Sequence, residues 1–205
     1  MVCKRWEALW ISLGAVSGAR KVYEALSAYY SEPHRAYHTM DHIAACLGEF
    51  DRSRHLALRP LEVEMAIWFH DAVYDTSASD NEEKSAELAF NTLTRHNVAE
   101  SVARRISDLV LATKHGGCPA GGDAELITDI DLSILGRPRQ EFDRYEEQIG
   151  LEYRHVPEEL FNVAREDILK GFLARDRIYL TDFFRNRYEK RARENLMQSI
   201  RRLGD

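Results

Sequence analysis

Residues 66–75 read Ala-Ile-Trp-Phe-His-Asp-Ala-Val-Tyr-Asp. An apolar run of helical character there places an imidazole, His70, directly beside a carboxylate, Asp71. Neither group is buried without a partner, because removing its polar atoms from water costs free energy. A neutral imidazole nitrogen and a carboxylate oxygen together suit Mn, Fe, Ni, Co or Zn better than Mg or Ca, which prefer oxygen ligands. The pair therefore indicates a divalent metal site, and a hydrogen-bonded surface pair is the alternative.

Apolar residues recur at helical spacing along nearly the whole chain, and β-branched runs and turn clusters are few. The 205 residues, 44% of them hydrophobic, are enough to bury one sizeable core. We therefore predict an all-α fold with a single domain over residues 1–205. The predicted helices are two before residue 31, then residues 37–54, 60–71, 80–97, 100–114, 126–136, 138–153, 157–173 and 182–203.

Charge and composition exclude several classes of partner. The net charge is −6, and an acidic surface argues against a nucleic acid polymer, whose phosphates bind Lys and Arg. No window approaches the roughly 18 apolar residues that span a bilayer, and Glu7 comes too early for a signal peptide. We expect a cytoplasmic protein that binds no membrane. Cys3, Cys46 and Cys118 lack CxxC spacing, so we expect them to be reduced and without a role.

A second pair of histidines precedes the apolar stretch. His38 and His42 are four residues apart, so on a helix they share one face and both reach the same small cavity. Two interpretations remain open for this pair: two exposed polar side chains, or a metal ligand with a proton donor. Asp41 between them is either part of the site or an acid that favours the helix start.

Two aspartates interrupt an apolar run further along the chain. Asp129 and Asp131 flank Ile130 in a segment otherwise rich in Leu and Ile, and buried acids are rare unless they are paired or bind a metal. Alternation places the two carboxylates on different faces, so we expect only one to join a site. An amphipathic helix with its acids in water is the alternative.

In the order His42, His70-Asp71 and Asp131, the chain resembles the HD superfamily of metal-dependent phosphohydrolases. It is similar in particular to a bacterial family of predicted HD phosphohydrolases of unassigned substrate. The likeness spans nearly the whole chain and is carried by five phrases: YSEPHRAYH at 30–38, WFHDAVY at 68–74, NEEKSA at 81–86, DIDLSILG at 129–136 and IYLTDFF at 178–184.

The resemblance implies a single HD-type helical bundle around a central metal site. It assigns His42, His70, Asp71 and Asp131 as ligands, with Asp129 as the fallback for the last position. The implied cofactor is a divalent ion, one of Mn, Fe, Ni, Co, Zn or Mg. Adjacent helical residues point about a third of a turn apart, so His70 and Asp71 reach one ion only at a helix shoulder, where the family crosses its helices.

The resemblance also implies catalytic and substrate-binding roles. Members with a similar Tyr-His-x-x-x-His phrase, such as the cyclic nucleotide phosphodiesterases, use the earlier histidine as a proton donor, which is His38 here. With Asp71 it forms the predicted catalytic pair. His115 is similar to a histidine that binds a second metal or phosphate in some members; a helix C-terminal histidine that complements the dipole is the alternative.

Charged residues near these phrases are further candidates. Arg35 and Lys114 carry the positive charge that would bind a distal phosphate. Glu82 and Asp75 lie outside the proposed ligand set and are candidates for orienting a water or a ligand imidazole. The alternative is that they are exposed acids that cap a helix. Of the aromatic residues, only Tyr37 and Tyr74 flank the proposed ligands.

We therefore expect a metal-dependent phosphohydrolase that acts on a small phosphorylated, nucleotide-like metabolite by attack of a metal-activated water. The alternative is a metal-containing nucleotide-binding sensor module without hydrolytic activity. A third interpretation is an all-helical scaffold that associates through its basic terminal helix and binds no metal. A homo-oligomer is compatible with each of these.

Overall fold

The computed structural model describes residues 2–114 and 121–204, and within them every regular element is helical. The predicted all-α class is therefore confirmed. The helices are α1 Val2–Ser12, α2 Ala19–Tyr29, α3 Met40–Ser53, α4 Pro60–Phe69, α5 Asn81–Arg95, α6 Glu100–Leu111, α7 Asp123–Asp131, α8 Arg139–Glu152, α9 Glu158–Leu173 and α10 Asp182–Leu203, with 3₁₀ turns at Arg54–Leu56 and Leu132–Gly136.

The start of α3 differs from the sequence prediction. We predicted a helix from residue 37, but Thr39 is the N-cap, with extended backbone and a side-chain oxygen that accepts a hydrogen bond from the Asp41 amide at 3.3 Å. His38 therefore precedes the helix, and the expectation that it shares a helical face with His42 is wrong. A local side-chain cap overrides the four-residue spacing here.

The chain forms two compact units, one of Met1–Pro33 with His38–Thr128 and one of His34–Tyr37 with Asp129–Asp205. In the first unit, α4 packs against α1, α3, α5 and α6. All residues from Glu62 to His70 are buried, as expected for a helix that is apolar on every side. Trp6 of α1 packs edge-on against Trp68 with ring centroids 5.4 Å apart.

The two acids within α4 are buried but paired. Glu62 accepts two hydrogen bonds from the Arg105 guanidinium at 2.6 and 2.8 Å. Glu64 accepts hydrogen bonds from Arg5 at 2.7 Å and from Arg54 at 2.6 Å. These bonds satisfy carboxylates that would otherwise be costly to bury, so the acids do not prevent α4 from being the central helix.

In the second unit, α10 packs against α9 and against the 3₁₀ turn Leu132–Gly136. The approach at Gly136 is close: an added Cβ would lie 2.5 Å from the Tyr188 Cβ and 2.8 Å from its carbonyl oxygen. Glycine at this position therefore sets the packing distance between the turn and α10.

Among the residues that the structure describes, no helix has both the length and the apolar character needed to cross a membrane.

This contact gives a stability prediction. Gly136→Ala should destabilise the protein by about 1–3 kcal/mol, because the methyl group has no space against the α10 backbone. Gly171→Ala is the matched control: its Cβ would meet nothing within 4 Å, and alanine in helix α9 should stabilise by up to about 1 kcal/mol. Urea unfolding followed by circular dichroism measures both, and equal effects would contradict the packing argument.

Candidate metal centre

The end of α4 positions the central histidine of the candidate site. The helix ends at Phe69, His70 is its C-cap, and Asp71 follows in a turn. The Tyr30 hydroxyl donates a hydrogen bond to the Trp68 carbonyl oxygen at 3.0 Å and so anchors this end. His70 keeps helical backbone angles (φ −58°, ψ −35°), and the Asp71 Oδ2 lies 3.0 Å from the His70 Nε2. The two side chains therefore reach one place although adjacent helical residues diverge by about a third of a turn.

A hydrogen bond fixes the His70 ring. Its Nδ1 lies 2.9 Å from the Ile67 carbonyl oxygen, and since a carbonyl can only accept, Nδ1 carries the proton. In the neutral ring, Nε2 then presents a lone pair. Histidine ligands in proteins commonly have their second nitrogen held in this way, which sets the tautomer and the ring orientation.

Two ligand atoms lie close to the Nε2 lone pair of His70. The His42 Nε2 lies 3.0 Å from the His70 Nε2, and the Asp71 Oδ2 lies 3.0 Å from the His70 Nε2 and 3.3 Å from the His42 Nε2. Two donors about 2.1 Å from one ion are about 3.0 Å apart at a right angle and about 3.4 Å apart at the tetrahedral angle. This triad of His42, His70 and Asp71 therefore fits a divalent metal.

Electrostatics within the triad favour the ionised acid. Without a bound metal, burial raises the pKa of the Asp71 carboxyl, but the positive charge of a protonated His70 ring and hydrogen bonds from His42 and His70 lower it more, so that the pKa lies well below its usual range. Asp71 is consequently a carboxylate at neutral pH, the form that binds metal. Both histidines are buried, so their ring nitrogens are held away from bulk water.

The sequence interpretation missed Cys46. Its thiol is buried, and its sulfur lies 3.7 Å from Nε2 and 3.8 Å from Nδ1 of His42. The ligand atoms of His42, Cys46 and His70 all lie within 4.8 Å of one another, close enough to belong to one metal site. The nearly equal distances place the sulfur beside the His42 ring rather than along the Nε2 lone pair. The detectable signal was its position four residues after His42 on α3.

His38 lies beside the triad despite its place outside α3. Its ring centroid is 5.9 Å from that of His42, at an interplanar angle of 73°, and 4.1 Å from that of Tyr74, at 31°. Tyr74 was one of two tyrosines that the sequence pattern singled out. Both His38 and Tyr74 are half-buried.

Ser85 is a second residue that the sequence interpretation missed. Its buried hydroxyl accepts a hydrogen bond from the Val73 amide at 3.0 Å and lies 3.3 Å from the Val73 carbonyl oxygen. This contact ties the segment after Asp71 to helix α5. A serine within an apolar helical face was the available signal, because a buried hydroxyl needs a partner.

The predicted substrate-binding residues have different surroundings. Lys114 donates hydrogen bonds to the Ser79 carbonyl oxygen and to the Glu83 carboxylate, and these hold the loop before α5. Arg35 is buried in the second unit. His115 lies outside the described residues. Binding of a phosphate by Arg35 and Lys114 stays a prediction.

Of the acids proposed to orient water or a ligand, Asp75 has a clear structural contact. Its side chain accepts a hydrogen bond from the Ser77 amide at 2.8 Å, and its backbone exchanges two hydrogen bonds with the Asn81 side chain. Glu82 lies half-buried in the first turn of α5. The Asp75 contacts therefore stabilise the loop before α5, and a further role of either acid stays a prediction.

The two downstream aspartates differ in the second unit. Asp129 is fully buried, and its carboxylate accepts hydrogen bonds from the amides of Leu180 and Thr181, each at 2.7 Å, and from the Thr181 hydroxyl at 2.6 Å. Asp131 is half-buried at the end of α7. Both carboxylate oxygens of Asp129 thus accept structural hydrogen bonds. Asp131 stays the predicted fourth ligand.

The triad predicts a specific loss of metal. Asp71→Ala should abolish metal binding and leave the helical content largely intact, because a ligand is lost but the apolar core is not. Asp41→Ala is the control, since it removes an exposed carboxylate that adjoins His42 in sequence as Asp71 adjoins His70. Elemental analysis and circular dichroism measure the two effects. Unchanged metal content in the Asp71 variant would overturn the ligand assignment.

The downstream aspartates give a second, paired prediction. Asp129→Asn should destabilise the protein by about 2–4 kcal/mol, because an amide loses the charge and one acceptor that the buried donors need, and metal content per folded molecule should persist. Asp131→Asn should instead lower metal affinity by at least about tenfold with little change in stability. Urea unfolding and calorimetric titration with metal distinguish them, and the reverse pattern would assign Asp129 as the ligand.

No family model, no curated protein and no solved structure matches the chain. The structural result is an all-helical chain in which two buried histidines, a buried cysteine and a carboxylate lie within reach of one metal ion.

Proposed function

We propose that this protein is a metal-dependent phosphohydrolase of the HD type that acts on a small phosphorylated, nucleotide-like metabolite. The observation that supports the proposal most directly is the triad of His42, His70 and Asp71, whose three ligand atoms are 3.0, 3.0 and 3.3 Å apart. The resemblance of the sequence to HD phosphohydrolases supplies the reaction class.

In this proposal the ion is held by two imidazoles and two carboxylates, from His42, His70, Asp71 and Asp131. Imidazole ligands favour Mn, Fe, Co, Ni or Zn, and the carboxylates also admit Mg. A bound divalent ion supplies Lewis acidity, which activates a water for attack and neutralises charge on the phosphoryl group.

The chain itself provides the proton for the leaving group. His38 is half-buried and its ring lies 5.9 Å from that of His42, so a phosphate ester held at the triad would have its leaving oxygen within reach of this imidazole. Donation of a proton to that oxygen by a positioned side chain typically contributes about 10² to 10⁴ in rate. Arg35 and Lys114 would bind the more distant phosphates of a nucleotide.

The proposal predicts metal-dependent hydrolysis. Protein purified without chelator should contain a divalent metal. Chelation should remove hydrolysis of at least one member of a panel of phosphomonoesters, phosphodiesters and nucleotides, and Mn, Fe, Co, Ni, Zn or Mg should restore it. Phosphate release and elemental analysis are the measurements. Reloaded Asp71→Ala should stay inactive, and the Asp41→Ala control should recover.

Two results would overturn the proposal. Tight nucleotide binding by the metal-loaded protein, with no hydrolysis across the panel, would indicate the sensor module. Absence of metal from the purified protein, with no uptake of any of the six ions, would indicate a helical scaffold.

A further inference from the structure

The rings of His38 and Tyr74 are in close contact beside the triad. Their centroids are 4.1 Å apart at an interplanar angle of 31°, a tilted arrangement. His38 also has a ring contact with His42, at 5.9 Å and 73°. The Tyr74 ring therefore covers one face of the imidazole, and the His42 ring lies at a steep angle to it.

Helix geometry does not hold the His38 side chain. His38 is half-buried and precedes the N-cap Thr39, in the turn that leads into α3, so its side chain is not part of a helical face. A proton donor that lies too far from the leaving oxygen, or that is loosely held, is inefficient. A displacement of about 1 Å can reduce a rate by about 10². The orientation of this imidazole must come from side-chain contacts.

Tyr74 is itself held in place. It is separated by one residue from Ala72, whose amide donates to the Phe69 carbonyl oxygen at 3.0 Å, and it follows Val73, which is tied to the Ser85 hydroxyl. The same short segment after α4 thus carries Asp71 and Tyr74. The backbone beside Tyr74 is therefore held, and the contact of its ring with His38 relates the imidazole to the segment that carries Asp71.

We propose that Tyr74 is a positioning residue that orients His38, through the close, tilted contact of their rings, for proton donation to the leaving oxygen of the substrate. This inference rests on the proposed phosphohydrolase function. In the step concerned, the oxygen of water bonds to phosphorus, the ester P–O bond breaks, and the His38 proton passes to the departing oxygen. The attacking water releases its proton to solvent, and solvent returns one to His38.

Leaving-group chemistry tests this role separately from folding and metal binding. Phenolate is a poor leaving group, since its conjugate acid has a pKa of about 10, like tyrosine, and its departure needs a proton. The nitro group of p-nitrophenolate stabilises the departing charge, so that a proton donor matters much less. The probes are phenyl and p-nitrophenyl phosphate, and the phenyl and p-nitrophenyl esters of thymidine 5′-monophosphate, compared within the ester class that the wild type hydrolyses.

Tyr74→Ala should lower kcat for the phenyl ester by about 10- to 100-fold and kcat for the p-nitrophenyl ester by far less. His38→Ala should show the same pattern with a larger loss, up to about 10⁴. Tyr74→Phe keeps the ring and should restore most of the phenyl ester rate. The exposed Tyr29 on α2 provides the control, and Tyr29→Ala should leave both rates unchanged.

The outcomes separate this inference from the proposed function. Equal losses on both esters in Tyr74→Ala, or no loss, would overturn the positioning role while the phosphohydrolase stands. Failure of Tyr74→Phe to restore the rate would also overturn it, because the hydroxyl rather than the ring would then be responsible. Absence of wild-type hydrolysis of all four esters and of the wider panel would overturn both. Metal content and circular dichroism should match the wild type in every Tyr74 variant.

Discussion

The hydrogen bond from the His70 Nδ1–H to the Ile67 carbonyl oxygen is the interaction on which the candidate site depends. Ile67 contributes one of the last four carbonyls of α4, which have no partner further along the helix itself. The end of the helix thus orients the imidazole, and the Nε2 lone pair points away from α4.

Burying this site without a bound cation costs free energy. The neutral tautomer of His70 presents an Nε2 lone pair 3.0 Å from the His42 Nε2, and two lone pairs at that distance repel unless a shared proton or a cation lies between them. The Asp71 carboxylate, 3.0 Å from the same atom, adds negative charge. A divalent cation would relieve both effects at once, which is the physical reason for assigning the triad to a metal rather than to a structural network.

Sequence periodicity predicted the helices well because most of them bury an apolar stripe, and burial follows spacing. It was less reliable where a local contact competes with the pattern. The Thr39 cap begins α3 three residues late and removes His38 from the helix, although its ring still lies beside His42. Similarly, Asp129 and Asp131 look alike in sequence, but only Asp129 was found to accept hydrogen bonds from Leu180 and Thr181.

The sequence alone determined the all-helical class, the residue types of a metal site and the pairing of His70 with Asp71, because local spacing and side-chain chemistry are written directly in the chain. Tertiary structure decided that His42 reaches His70 from 28 positions away, that Cys46 lies against His42, and that Tyr74 packs on His38. Such contacts depend on where helices end and which faces meet. Those are properties of the packed core, and local periodicity does not encode them.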